Sequence, residues 1–307
     1  MSAPMTRRGW MLFAAMGAIW GTPYLMIKVA VEDLSPPVVV FGRTSLAAIA
    51  LLILAARKDA LRPALQRWRP VIAFAALEMA GPWLLLVNAE KRLPSGVAAL
   101  IIACVPIVGA VAAYALGDKR ALHAKRLLGI TLGLGGVGLI VVHDLGSAGA
   151  IPWWSVVSVL AVCVGYATAP FISARRLADV PDIGVIALAL SCVALLYLPI
   201  AILARPDHVP PADALLSVLG LAVLCTGIAF VVFFALISEI GPDRATLITF
   251  VNPAVALLLG VALLDEQLTP ATLGGFVLVL AGCWLATRQP RMTTSDRAIA
   301  VHAAEHA

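Results

Sequence analysis

Three ionisable side chains sit inside long apolar runs: Lys28, Arg43 and Glu78. A charge in hydrocarbon is costly and by default marks a site. Glu78 lies deepest, about 12 Å from the start of its run at 1.5 Å of helix rise per residue. Pro82 follows one turn later. It has no N–H for the Glu78 carbonyl, so backbone polarity is freed beside the carboxylate. Two chemistries suit Glu78. It faces a cavity and holds a proton or a solute's amine, or it pairs with Arg43, which lies about 10 Å into its own run. Arg43 then reads as half of a structural or gating ion pair.

Lys28 is one turn from the end of its run and can snorkel. Trp20, Tyr24 and Lys28 recur every four residues, on one helical face. Aromatic rings in mid-run form either a cavity wall for apolar or aromatic solutes or plain packing between helices. Asn252 precedes Pro253 in another run, where it can supply hydrogen bonds beside a proline kink. Pro106 removes the partner of the Ile102 carbonyl in the same way. Pro23 and Pro170 add two further kinks.

The elements that position these residues follow from composition. Of 307 residues, 62% are hydrophobic and 13% charged. A soluble chain is nearer roughly 45–50% apolar and 25% charged. The fold class is therefore an all-α polytopic membrane protein. A span needs about 20 apolar residues. Ten stretches qualify: Gly9–Val31, Pro36–Ala56, Pro70–Ala89, Pro94–Leu116, Ala124–Val142, Pro152–Ser173, Pro181–Ala204, Ala214–Ile237, Pro242–Leu264 and Thr269–Thr287. The N-terminal run has Arg7 and Arg8 before it but no clean small-residue cleavage site, so it reads as the first span. Residues from Pro290 on read as a disordered tail.

The net charge of +5 is no nucleic-acid footprint, because the basic residues fall in short loops. Seventeen Lys and Arg residues lie on one set of loops and ends, against Lys91, Arg92 and Arg205 on the other. The heavy side is expected to be cytoplasmic, with both termini inside. Cys104, Cys163, Cys192, Cys225 and Cys283 each lie in a different apolar run and read as small hydrophobes, with no disulfide or metal spacing. His123, His143, His208, His302 and His306 sit in loops or the tail. No metal or cofactor is expected.

The chain also repeats itself. Pro106 and Pro253 are 147 positions apart, and at that offset Ala98 meets Ala245, Leu100 meets Leu247, Ile101 meets Ile248 and Asp118 meets Asp265. Pro23 meets Pro170, Tyr24 meets Phe171 and Lys28 meets Arg175. A one-residue slip then aligns Gly129 with Gly275 and Gly136 with Gly282. Five crossings per copy is an odd number, so the second copy enters from the opposite face. The expected arrangement is two inverted five-helix repeats, residues 1–147 and 148–288, with residues 289–307 as a cytoplasmic tail. The glycines read as close-packing positions between helices.

These residues resemble the EamA branch of the drug/metabolite transporter superfamily, through both halves. The anchors are WGTPYLMIK at Trp20–Lys28, Arg43, SGVAALIIACVPIVGAVAAYALGD at Ser95–Asp118, and the long run Thr226–Gly282. The fourth span ends Gly117-Asp118-Lys119, where family members more often carry glutamate. The resemblance implies a bacterial inner-membrane carrier, a monomer or homodimer. It would export amino acids, amphiphilic or aromatic metabolites or drugs by alternating access, with proton coupling an open possibility. A passive facilitator is the alternative. An intramembrane aspartyl enzyme is disfavoured, because Asp118 and Asp265 would lie on opposite faces, about 30 Å of hydrocarbon apart.

Overall fold

The computed structural model describes residues 5–115, 124–144, 151–241 and 245–287, and their regular structure is helical. Backbone polar groups in lipid must be satisfied within the chain, and helices do this locally. Seven segments are long and apolar enough to cross a bilayer: Arg7–Asp33, Pro36–Arg57, Trp68–Glu90, Ser95–Ala112, Trp153–Arg176, Asp182–Leu203 and Ala212–Ile240. Three shorter apolar helices cover Leu127–Ile140, Leu247–Leu263 and Pro270–Leu285. Each of the ten overlaps one apolar stretch of the sequence. Asp118, His123, His302, His306 and the tail lie outside the described residues.

In chain order the helices are α1 (Arg7–Gly21), α2 (Pro23–Asp33), α3 (Pro36–Arg57), α4 (Leu61–Gln66), α5 (Trp68–Ala75), α6 (Gly81–Glu90), α7 (Ser95–Ile102) and α8 (Val105–Ala115). Then come α9 (Ala124–Asp144), α10 (Trp153–Arg176), α11 (Asp182–Leu203), α12 (Ala212–Ala222), α13 (Ala229–Ile240), α14 (Asn252–Leu263) and α15 (Pro270–Thr287). Several spans are interrupted midway. Thr22 separates α1 from α2, with Pro23 opening the second piece and the Thr22 hydroxyl bonded to the Ala18 carbonyl at 2.7 Å. A π-helical turn, Ala76–Ala80, joins α5 to α6 just before Pro82. A second, Val223–Ile228, joins α12 to α13 without a proline. The two π turns start 147 positions apart, in register with the repeat. Ala103 and Cys104 separate α7 from α8, ahead of Pro106. A 3₁₀ turn, Thr246–Phe250, precedes α14 and Pro253. Pro170, expected as a kink, sits inside α10, whose helix runs unbroken past it.

The packing is reciprocal. α3 lies on α11, α9 on α15, and α7 on α14; α2 packs on α12, and α6 on α10. The α9–α15 seam is closed by glycines. A Cβ at Gly136 would come 2.7 Å from the Gly275 carbonyl oxygen, and one at Gly282 would come 2.5 Å from that of Gly129. Such close backbone approach is how helices associate in lipid, where apolar burial supplies no drive.

Loop contacts fall into two sets. Arg8 pairs with Glu239 at 3.6 Å and Arg67 with Asp179 at 2.8 Å. At the other end Asp33 meets His208 at 3.6 Å, Ser35 donates to the Ala204 carbonyl, and Ser95 meets Glu266. No contact in either set joins ends that a chain of alternating crossings would separate. Large apolar side chains such as Leu195, Leu196, Leu216, Leu258 and Val277 face outward, as a lipid-facing surface requires. Trp10, Trp68, Trp153 and Trp284 are exposed near span ends, where aromatic rings favour the membrane interface.

Candidate functional site

The two π turns bracket one buried cation. Arg43, on α3, is only 8% exposed. Its guanidinium lies 3.6 Å from the centroid of the Trp83 ring. Trp83 is in the first turn of α6, directly after the first π turn. Arg43 Nε donates to Thr226 Oγ1 at 2.9 Å, and Thr226 lies within the second π turn. The Thr226 hydroxyl in turn donates to the Leu221 carbonyl at 2.8 Å. One side chain thus ties the third span of the first half to the equivalent span of the second. Tyr24, Glu90, Tyr166 and Cys225 lie within electrostatic reach of it. Tyr166 also lies beside Trp83. A guanidinium held over an indole, with Tyr24 and Tyr166 nearby, can bind an anionic or aromatic group. Among the described residues Arg43 has no ion pair.

The Glu78–Arg43 pair, one of the two readings of these charges, is therefore not formed. Glu78 lies in the first π turn, half-buried, and has no hydrogen bond or ion pair among the described residues. Tyr166 is within its electrostatic reach. Tyr197 donates to the Ala80 carbonyl at 2.9 Å and so holds the last residue of that turn. π turns recur at functional sites because they redirect side chains and loosen backbone pairing.

The Trp20–Tyr24–Lys28 stripe is not one continuous wall, because the helix breaks at Thr22. Trp20 leaves for α13, where its ring lies 4.7 Å from that of Phe233. Tyr24 is buried in the main core near Arg43. Lys28 binds backbone: its Nζ donates to the Glu90 carbonyl at 2.9 Å and the Leu93 carbonyl at 3.1 Å. It satisfies carbonyls that the end of α6 leaves unpaired. Asn252 opens α14, and its backbone carbonyl lies against Gly21, where a Cβ would come within 3.1 Å. Its side-chain Oδ1 is buried without a hydrogen-bond partner. The break before Pro106 is closed by thiols. Cys163 donates to the Ile101 carbonyl at 3.3 Å and Cys283 to the Ala103 carbonyl at 2.9 Å.

Several polar groups escape a reading of the sequence. Thr226, Trp83 and Tyr166 are ordinary residues for apolar helices, so no local signal distinguishes them. Glu90 and Glu266 look like loop residues beside Lys91 and Asp265. Glu90 instead ends α6, is fully buried, and has no partner for either carboxyl oxygen. An acid at a helix C-terminus opposes the dipole, and that mismatch was legible in the sequence. Asp265 adopts a left-handed conformation at φ 52° and turns the chain back, so Glu266 reaches the start of α7. There its carboxylate accepts from Ser95 N at 2.6 Å, Ser95 Oγ at 3.0 Å and Gly96 N at 3.4 Å. An open hollow of about 670 Å³ lined by Ala56, Asp59, Arg62 and Gln66 lies at the opposite end of the bundle, away from these groups.

Two copies of one family model match the chain. The EamA-like transporter family model covers residues 7–142 and again 153–288, and the chain belongs to that family. An uncharacterized inner membrane transporter of Escherichia coli K12, YedA, is 30% identical over 84% of each chain. Protein PecM of Dickeya dadantii is 27% identical over 86% of each. A probable amino-acid metabolite efflux pump of Salmonella typhimurium is 25% identical, over 92% of this chain and 95% of that one. A solved crystal structure at 19% identity superposes with a TM-score of 0.64, covering 95% of this chain and 98% of the other, a likeness of fold.

Proposed function

We propose that this member of the EamA-like family is a secondary carrier of the bacterial inner membrane. It exports small organic solutes, such as amino acids and aromatic or amphiphilic metabolites and drugs, by alternating access. The two halves, residues 1–147 and 148–288, are read as inverted five-helix repeats with both termini in the cytoplasm. Reciprocal packing supports this reading: α3 on α11 and α9 on α15 pair equivalent helices, α7 on α14 pairs equivalent spans, and the α2–α12 and α1–α13 contacts have their counterparts in α10–α5 and α10–α6. The observation that carries the proposal is Arg43, stacked on Trp83 after one π turn and bonded to Thr226 in the other. A cation that links the two halves through their least regular backbone is placed to sense a bound solute and to shift as the halves rock.

The test is transport by the purified protein in lipid vesicles, across a panel of amino acids, aromatic amines and aromatic acids. Counterflow, in which preloaded unlabelled solute accelerates labelled uptake without net flux, is the expected result. Leak that rises linearly with concentration and shows no counterflow would instead favour a passive facilitator.

A further inference from the structure

Glu90 is the least accounted-for group among the described residues. Its side chain is fully buried, and neither carboxyl oxygen has a hydrogen-bond partner. Lys28 lies alongside, yet its ammonium is bonded to the carbonyls of Glu90 and Leu93, not to the carboxylate. The other charged or titratable groups within its electrostatic reach are Tyr24 on α2, Arg43 on α3 and Glu266 after α14. Glu266 is itself occupied by Ser95 and Gly96. A carboxylate left charged in such a place, with no donor on either oxygen, costs far more than it returns. A neutral carboxyl does not. The same two empty acceptors suit a protonated amine, which brings both the positive charge and the N–H donors that are missing.

We infer that Glu90 is an exchange site of the carrier: it holds a proton in this sealed form and gives it up to bind the ammonium group of an amine solute. The inference rests on the carrier reading above. The balance is one for one. The ammonium of the solute enters with its charge, the carboxyl O–H bond breaks, the proton leaves to water, and the carboxylate–ammonium pair remains. Charge in the site rises by one with the amine and falls by one with the proton, so the exchange is electroneutral.

Infrared spectroscopy of the protein in lipid at neutral pH tests the first half. A protonated-carboxyl C=O band should be present and should lose a component in Glu90→Gln. An unchanged spectrum overturns the inference. Vesicles holding a trapped pH dye test the second half, with phenethylammonium as the probe and with the signal of protein-free vesicles, where the neutral amine alone crosses and leaves its proton behind, subtracted. An outward amine gradient should drive protons inward in the wild type and in the control Glu32→Gln, an exposed acid at the same end. Glu90→Gln should abolish this movement while its melting temperature stays at the wild-type value, because a neutral amide replaces a neutral acid. Glu90→Asp should restore part of it. A wild-type protein that moves no protons against the amine, or a Glu90→Gln protein that still does, overturns the inference. Counterflow of other solutes in the panel assay would in that case leave the carrier reading standing.

Discussion

Thr226→Val removes one hydroxyl and keeps the shape of the side chain. The structure says what that hydroxyl does: it accepts from Arg43 Nε at 2.9 Å and donates to the Leu221 carbonyl at 2.8 Å. Hydrogen bonds between helices in a bilayer average about 0.6 kcal/mol, because a loosened helix finds other partners. The Arg43 bond differs, since its donor is a buried cation with no counter-ion. A hydrogen bond to a charged group contributes about 1.5–3 kcal/mol. The Trp83 stack, itself worth about 2 kcal/mol when desolvated, persists and keeps the guanidinium from swinging to a new acceptor. Thr226→Val should therefore cost about 1.5–3 kcal/mol. At about 2 °C per kcal/mol, that lowers the melting temperature of the detergent-solubilised protein by about 3–6 °C. Arg43→Met should destabilise as well, and the double variant should fall short of the sum by about the energy of the shared bond. A loss near 0.6 kcal/mol, or strict additivity, would refute the claim that this cation is desolvated and held by Thr226.

Three further outcomes follow from the same contacts. Gly136→Leu should collapse protein yield, since its Cβ would meet the Gly275 carbonyl and overpacking costs about 1–3 kcal/mol or more; Gly135→Leu, where nothing lies within 4 Å, should express normally. Glu266→Gln should cost about 1 kcal/mol by weakening the cap on α7, seen as a small fall in melting temperature, with no further loss when Ser95→Ala is added to it. In a background with the native cysteines changed to serine, a cysteine at Arg92 should react with an impermeant thiol reagent from outside intact cells, and one at Arg62 should not; labelling at Arg62 would contradict the orientation.

Much of the frame was legible in the sequence, because its causes are local. Runs of apolar residues of spanning length are visible in any order, and each of the ten stretches overlaps an apolar helix, seven of them long enough to cross a bilayer. Prolines mark where a helix loses a hydrogen bond, so the breaks before Pro106 and Pro253 could be anticipated. The second π turn could not. It has no proline, and the Thr226 hydroxyl bonded back to Leu221 takes that role. The site was only partly legible. Arg43 announced itself as a charge out of place, but its partners come from helices far away in sequence. The choice of Trp83 and Thr226 over Glu78 is a matter of tertiary distance that no spacing encodes. Trp20 and Tyr24 share a helical face only along a straight helix, and the chain bends at Thr22. Glu90 lies one residue past the apolar stretch Pro70–Ala89, so composition does not single it out, whereas α6 runs on to include it.

The repeat itself limits where the chemistry can be. Much of the scaffold is shared: at the offset of 147 π turn meets π turn and the break before Pro106 meets the 3₁₀ turn before Pro253, and after the one-residue slip the glycines of α9 meet those of α15, whereas the break before Pro23 has no counterpart at Pro170 in α10. The polar groups are not shared. Arg43 corresponds to Leu190, Glu78 to Cys225, Glu90 to Ile237, Trp83 to Phe230 and Thr226 to Met79. No equivalent cation or acid stands at these positions, so this set of groups occurs once. A fold needs only its backbone breaks and close contacts to be symmetric in order to rock between two forms. Recognition of a small solute that has no symmetry of its own gains nothing from a second copy of each ligand. A duplicated frame with single-copy chemistry is consistent with the proposed carrier of asymmetric solutes. In the proposed site Arg43, Trp83 and Glu90 come from the first half, and Thr226 and Tyr166 from the second.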